Sequence, residues 1–125
     1  MKKILVVDDE VDLLETTAAI LAGGGHEVIK ATNGKDAVRI ARESKPDLIL
    51  LDIKMPGLTG VQTTDILHSS EATRSIPIIY LSCLVKESDV ADSHVTGSRI
   101  GDIQFIPKTM RPEVVLDIVN KKLNS

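Results

Sequence analysis

Five short runs along this chain favour strands: Ile4 to Val7, Glu27 to Ala31, Asp47 to Leu51, Ile76 to Ser82 and Asp102 to Ile106. Several are apolar at consecutive positions rather than at every second one. A strand with one wet face alternates, whereas one that is apolar throughout is buried on both sides, as in a parallel sheet covered by helices. The intervening segments supply the helices. Val11, Leu14, Ala18 and Leu21 recur at helical spacing in the first, and Ala37, Ile40 and Ala41 in the second; a third runs from Thr59 to His68. Gly23-Gly24-Gly25 can end the first helix, Asn33-Gly34 and Lys45-Pro46 bracket the second, and Pro112 suits the first turn of the last. Between Val85 and Arg99 the apolar positions are diluted to Val90, Ala91 and Val95, which predicts a short or irregular fourth helix.

Strand and helix alternating five times imply right-handed crossovers and one doubly wound α/β domain over residues 1–125, with a five-stranded parallel sheet in the order 2-1-3-4-5 and helices on both faces. A chain of 125 residues is long enough to bury roughly two thirds of the surface its unfolded form exposes. In such sheets the site lies at the carboxyl ends of the strands, beside the switch in strand order. Asp8, Asp9 and Glu10 follow the first strand directly, and Asp52 follows the third, its neighbour in the sheet. The acids therefore converge on one pocket from separate parts of the chain.

Carboxylates about 5 Å apart repel by roughly 3 kcal/mol at an effective dielectric near 20. A hard divalent cation relieves that repulsion, and Mg2+ fits because it needs only one or two carboxylates together with water and phosphate oxygens. Taken singly, Asp8 or Asp9 reads equally well as a cap of the first helix, and Asp52 as part of a turn with Met55-Pro56-Gly57. The three together at matching strand ends do not. Ser82 closes the fourth strand with a hydroxyl, and Lys108 follows the fifth with an ammonium. The inventory is a metal site, an exposed carboxylate, a hydroxyl and a cation, the parts needed to form and hold an acyl phosphate. Asp52 would be the nucleophile, with Ser82 and Lys108 binding the phosphoryl group.

Four motifs in order, VVDDE at Val6 to Glu10, LILLDIKMPGLTG at Leu48 to Gly60, IPIIYLS at Ile76 to Ser82 and GDIQFIPK at Gly101 to Lys108, make the chain resemble a response-regulator receiver domain of bacterial two-component signalling, with its flavodoxin-like fold. The resemblance implies that Asp52 is the phosphoacceptor and Asp9 a direct Mg2+ ligand. It also implies that Asp8 acts mostly through water, that the backbone carbonyl of Lys54 completes the protein ligands, and that Ser82 and Phe105 form the switch pair. The implied donor is a histidine kinase or phosphotransfer protein. The chain would catalyse only its own phosphorylation and dephosphorylation, and would act on a downstream protein or domain that the sequence does not identify.

The chain departs from that pattern in three places. Thr109 follows Lys108 where the family usually has proline after a cis bond, and a cis bond before a non-proline residue costs about 2.5 to 4 kcal/mol against about 0.5 to 1 before proline. Phe105 stands where tyrosine is also common. The interval from Ser82 to Lys108 is longer than usual, and the insertion falls on a surface that receivers use for partners, so a phosphorylation-linked dimer is allowed but no dimer mode carries over. Two rivals follow: a receiver-like adaptor that no longer switches by phosphate, and a small aspartate-based phosphotransferase or phosphatase, for which the chain has little room to build a substrate pocket.

A net charge of -3 gives no electrostatic reason to seek nucleic acid, and Tyr80 and Phe105, the only aromatics, provide no base-stacking platform. No apolar run has the length of a membrane span, and MKK followed by four apolar residues is too short for a signal peptide, so the cytoplasm is the expected compartment. Cys83, the sole cysteine, cannot form an internal disulfide, and His26, His68 and His94 lack ligand spacing and read as surface residues.

Overall fold

The computed structural model describes residues 2–53, 55, 57–82, 98–100, 103–107 and 112–124. In chain order the elements are β1 (Lys3–Val7), α1 (Val11–Gly23), β2 (Glu27–Ala31), α2 (Gly34–Ser44), β3 (Leu48–Asp52), α3 (Gly60–His68), β4 (Ile78–Ser82), β5 (Ser98–Ile100), β6 (Ile103–Pro107) and α4 (Pro112–Leu123). The sheet order is β2-β1-β3-β4-β6-β5. All pairs are parallel except β5 with β6. The expected order 2-1-3-4 holds, and the fifth expected strand is β6, alongside β4.

Side-chain alternation in the sheet builds two cores. Ile4 and Val6 of β1 join Leu48 and Leu50 of β3 beneath α1 and α4, with Leu14, Leu21, Val115 and Val119. Leu5 and Val7 join Ile49 and Leu51 on the opposite face, beneath α2 and α3, with Ala37, Ala41 and Leu67. Every side chain from Leu48 to Leu51 is fully covered, which is why β3 shows no alternation in the sequence.

The ends of the helices follow from local chemistry. Asn33 accepts a hydrogen bond from the Asp36 amide at 2.8 Å and caps α2. Thr59 and Gln62 form a reciprocal capping box at the start of α3, the Thr59 hydroxyl accepting from the Gln62 amide and the Gln62 side chain accepting from the Thr59 amide. After α1 the chain turns at Gly25, whose φ of 91° lies in the left-handed region that glycine enters without penalty.

One difference from the sequence reading concerns the edge of the sheet. The five expected strands pair in parallel, and Ser98–Ile100 adds an antiparallel edge strand paired with β6 through Ser98↔Phe105, Arg99↔Gln104 and Ile100↔Ile103. Ser98 and Arg99 lie inside the stretch, Val85 to Arg99, expected to be a short or irregular helix. The Ile100↔Ile103 pairing leaves only Gly101-Asp102 between the strands, and glycine first in a two-residue connection is hairpin composition. The rest of the fourth helix expected between Val85 and Arg99 lies outside the described residues.

Tyr80 joins the third helix to the sheet. It is 4% exposed, and its hydroxyl lies 2.6 Å from the hydroxyl of Thr64 on α3. Burial raises the Tyr80 pKa above its ordinary 10.0; the Thr64 hydrogen bond lowers it and the charge of Asp65 raises it further. Because the folded-state value is the higher one, the unfolded chain ionises first as pH rises. The stabilising contribution is therefore intact below about pH 10 and is lost above it. Tyr80→Phe is expected to lower stability by about 1 kcal/mol at neutral pH through loss of the hydrogen bond. It should also flatten the alkaline fall in denaturant midpoint above about pH 10; an unchanged alkaline limb would show that Tyr80 is not its source.

Candidate acidic site at the carboxyl ends of the strands

Parallel pairing aligns the strand tips. Val7 pairs with Leu51, and Asp52 pairs with Leu81. Asp8 is the next residue beyond Val7 and Asp52 the next beyond Leu51, so the two acids leave adjacent strands at one level. Carboxylate oxygens of Asp8, Asp9 and Asp52 lie within 4.8 Å of one another, which confirms the convergence expected from the sequence.

The three acids differ in surroundings. Asp8 is 1% exposed and Asp52 3%, whereas Asp9 is exposed. The Asp8 amide donates to the Ala31 carbonyl at 3.1 Å, which ties the tip of β1 to β2, and its Oδ1 accepts from the Glu10 amide at 2.9 Å. The N-cap of α1 is Glu10, with no side-chain cap, so neither Asp8 nor Asp9 is the capping residue of the alternative reading. Nor is Asp52 the exposed carboxylate expected from its position at a strand end, since it is almost wholly covered. Carboxylates at this separation repel by about 3 kcal/mol per pair at an effective dielectric near 20, and the set consists of hard oxygen donors suited to Mg2+.

Ser82 ends β4 and pairs with Pro107, one step beyond the level of Asp52, while Phe105 lies within β6 opposite Tyr80. The backbones of Ser82 and Phe105 thus lie toward the same carboxyl end of the sheet as the acids; their side chains, together with Lys54, Cys83, His94, Lys108 and Thr109, lie outside the described residues. His68 is exposed as expected. His26 is instead partly buried, with Nε2 2.8 Å from Asn120 Oδ1 on α4.

One positioning residue was missed. A Cβ on Gly60 would lie 2.4 Å from the Asp52 carbonyl oxygen and 2.8 Å from Ile53 Cα. The Gly60 amide donates to the Ile53 carbonyl at 2.8 Å, and the Ile53 amide to the Leu81 carbonyl at 3.3 Å. The first residue of α3 is thus pressed against the backbone that carries Asp52. Nothing in local composition reports a close approach between a helix start and a strand end.

A doubly wound α/β sheet with an acid pocket at the switch in strand order defines the class. The response regulator receiver domain family matches residues 4–120, and the chain belongs to it. The protein PilH of Pseudomonas aeruginosa is 39% identical over 123 residues, covering 98% of both chains. The phosphate regulon transcriptional regulatory protein PhoB of the same organism is 37% identical over 111 residues, which cover 89% of this chain and 47% of PhoB. The chain therefore spans nearly all of PilH and about half of PhoB. The chemotaxis protein CheY4 of Vibrio cholerae has the same fold, with a TM-score of 0.80 at 24% identity over 97% of this chain and 98% of that one. The chain is a receiver domain of two-component signalling, a module whose family is phosphorylated on aspartate, binds Mg2+ at an acidic pocket and works with histidine kinases or phosphotransfer proteins. Among the described residues no helix is long and apolar enough to cross a membrane.

The Gly60 contact yields a test with a sign opposite to helix propensity. Alanine in a helix is ordinarily favoured over glycine by roughly 0.5 to 1 kcal/mol. Gly60→Ala is instead expected to destabilise by about 1 to 3 kcal/mol, because the backbone at Asp52 and Ile53 must shift. Urea unfolding measures it, and a stabilised variant would refute the close approach.

Proposed function

We propose that Asp52 is the phosphoacceptor of this receiver and that Asp8 and Asp9 serve the divalent cation. The observation that carries the reading is the meeting of three carboxylates within 4.8 Å at the tips of β1 and β3. Asp52 stands at the end of a strand covered on both faces, and Gly60 fixes its backbone from the other side, so its backbone position is closely defined. In the transfer step a carboxylate oxygen of Asp52 forms the new O–P bond as the P–N bond of a donor phosphohistidine breaks. The acyl phosphate is later hydrolysed by water.

Mg2+, when bound, would supply positive charge that offsets the carboxylates and stabilises the phosphoryl group. Asp9 is the direct ligand and Asp8 acts mostly through water; the exposed side chain of Asp9 and the Glu10 amide bond already held by Asp8 support that division. The Lys54 backbone carbonyl completes the protein ligands. Ser82 and Lys108 hold the phosphoryl group, and Ser82 and Phe105 change arrangement together when it is present. The donor is a histidine kinase or phosphotransfer protein in the cytoplasm, and the output is altered binding to a partner, which includes a phosphorylation-linked dimer. No other catalytic activity is assigned. Biasing the domain from one state to the other, from 1:99 to 99:1, takes about 5.5 kcal/mol of differential interaction, of which the contacts to the bound phosphoryl group supply a part.

Acetyl phosphate with Mg2+ is expected to add one phosphoryl group to the chain by intact mass, and none to Asp52→Asn. Equal labelling of Asp52→Asn would reassign the acceptor, and absence of labelling with acetyl phosphate and with kinases would favour the adaptor reading. Asp9→Ala should weaken Mg2+ binding more than Asp8→Ala; equal titrations would remove the distinction between the two acids.

A further inference from the structure

A groove of about 520 Å³ lies between α2 and α3, remote in role from the acid pocket. Val38, Leu58 and Ile66 contribute its apolar part, and Lys35, Arg39 and Arg42 its cations, with Glu43 as its one acid. The lining carries three positive charges against one negative, +3 − 1 = +2, on a chain whose formal charge is -3. Arg39 is 3.4 Å from Glu43 and 3.9 Å from Asp36, and the balance stays positive with Asp36 counted, +3 − 2 = +1. Lys35, Arg39 and Arg42 fall at i, i+4 and i+7, one stripe about two turns long on α2.

An apolar floor between two helices with a cationic edge is complementary to one kind of occupant. We propose that the α2–α3 groove docks an acidic amphipathic helix of a partner protein, its apolar stripe over Val38, Leu58 and Ile66 and its carboxylates along Lys35, Arg39 and Arg42. The proposal does not rest on phosphorylation at Asp52.

The probe is a synthetic helix-forming peptide of about four turns, with leucines at i, i+3, i+4 and i+7 flanked by glutamates. Amide shift mapping on the isotope-labelled chain is expected to cluster perturbations on α2, α3 and Leu58. Affinity should fall with added salt and drop about tenfold in the double variant Lys35→Glu, Arg42→Glu, equivalent to about 1.4 kcal/mol. The two exchanged residues are exposed, and thermal melting together with unaltered acetyl phosphate labelling at Asp52 checks that the fold and the acid site are intact. Tight binding of the same peptide with lysines in place of the glutamates would overturn the proposal. So would perturbations centred elsewhere, or equal binding of a polyglutamate lacking the leucines, which would reduce the groove to a general anion attractor.

Discussion

The parallel register of β1 against β3 is the constraint on which the rest depends. Ile4, Leu5, Val6 and Val7 pair in turn with Leu48, Ile49, Leu50 and Leu51, and that pairing alone brings Asp8 and Asp52 to the same edge. A slip of one residue would send Ile4 and Val6 to the face now filled by Leu5 and Val7, and would offset the acids by one residue. The two cores therefore specify the site indirectly. Because both faces of β1 and β3 are filled by large side chains, register is fixed by packing far stronger than the carboxylate repulsion acting against it.

That repulsion links stability to function. Three carboxylates within 4.8 Å oppose the folded state, and nothing about a sheet requires acids at those tips. The fold sustains the arrangement through fully buried strands, the Glu10 amide bond to Asp8 and the close seat of Gly60. A site built this way favours a divalent cation, which offsets the repulsion among the carboxylates and in turn attracts phosphoryl oxygens.

Legibility in the sequence followed the range of the interactions. Uninterrupted apolar runs revealed β1 and β3 because burial on both faces acts on every residue of a strand. Asn33, Thr59, Gly25 and Pro112 revealed helix limits because capping and turn chemistry act within a few residues. Asp8, Asp9 and Asp52 were found by combining strand ends with sheet order, a long-range inference made possible by the regularity of parallel sheets. What stayed hidden depends on particular pairs of distant residues: Gly60 against Asp52, Tyr80 with Thr64, His26 with Asn120, and the edge strand Ser98–Ile100, whose three residues carry no period of their own. The near-complete burial of Asp52 was hidden for the same reason, since a strand-end position does not tell how much of the neighbouring elements folds over it.

The acid pocket and the α2–α3 groove share one segment of chain. Leu58 lines the groove, and the same connection begins at Asp52 and ends at Gly60. It is held at both ends, by the Ile53 amide on the Leu81 carbonyl and by the Gly60 amide on the Ile53 carbonyl. It is also held from the side, because a Cβ on Gly34 at the start of α2 would lie 2.9 Å from Leu58 Cβ, leaving no room between them. Contacts at Ile53, Leu58 and Gly60 thus seat both ends of this connection, and the packing that fixes the Asp52 backbone on one side shapes the groove wall at Leu58 on the other.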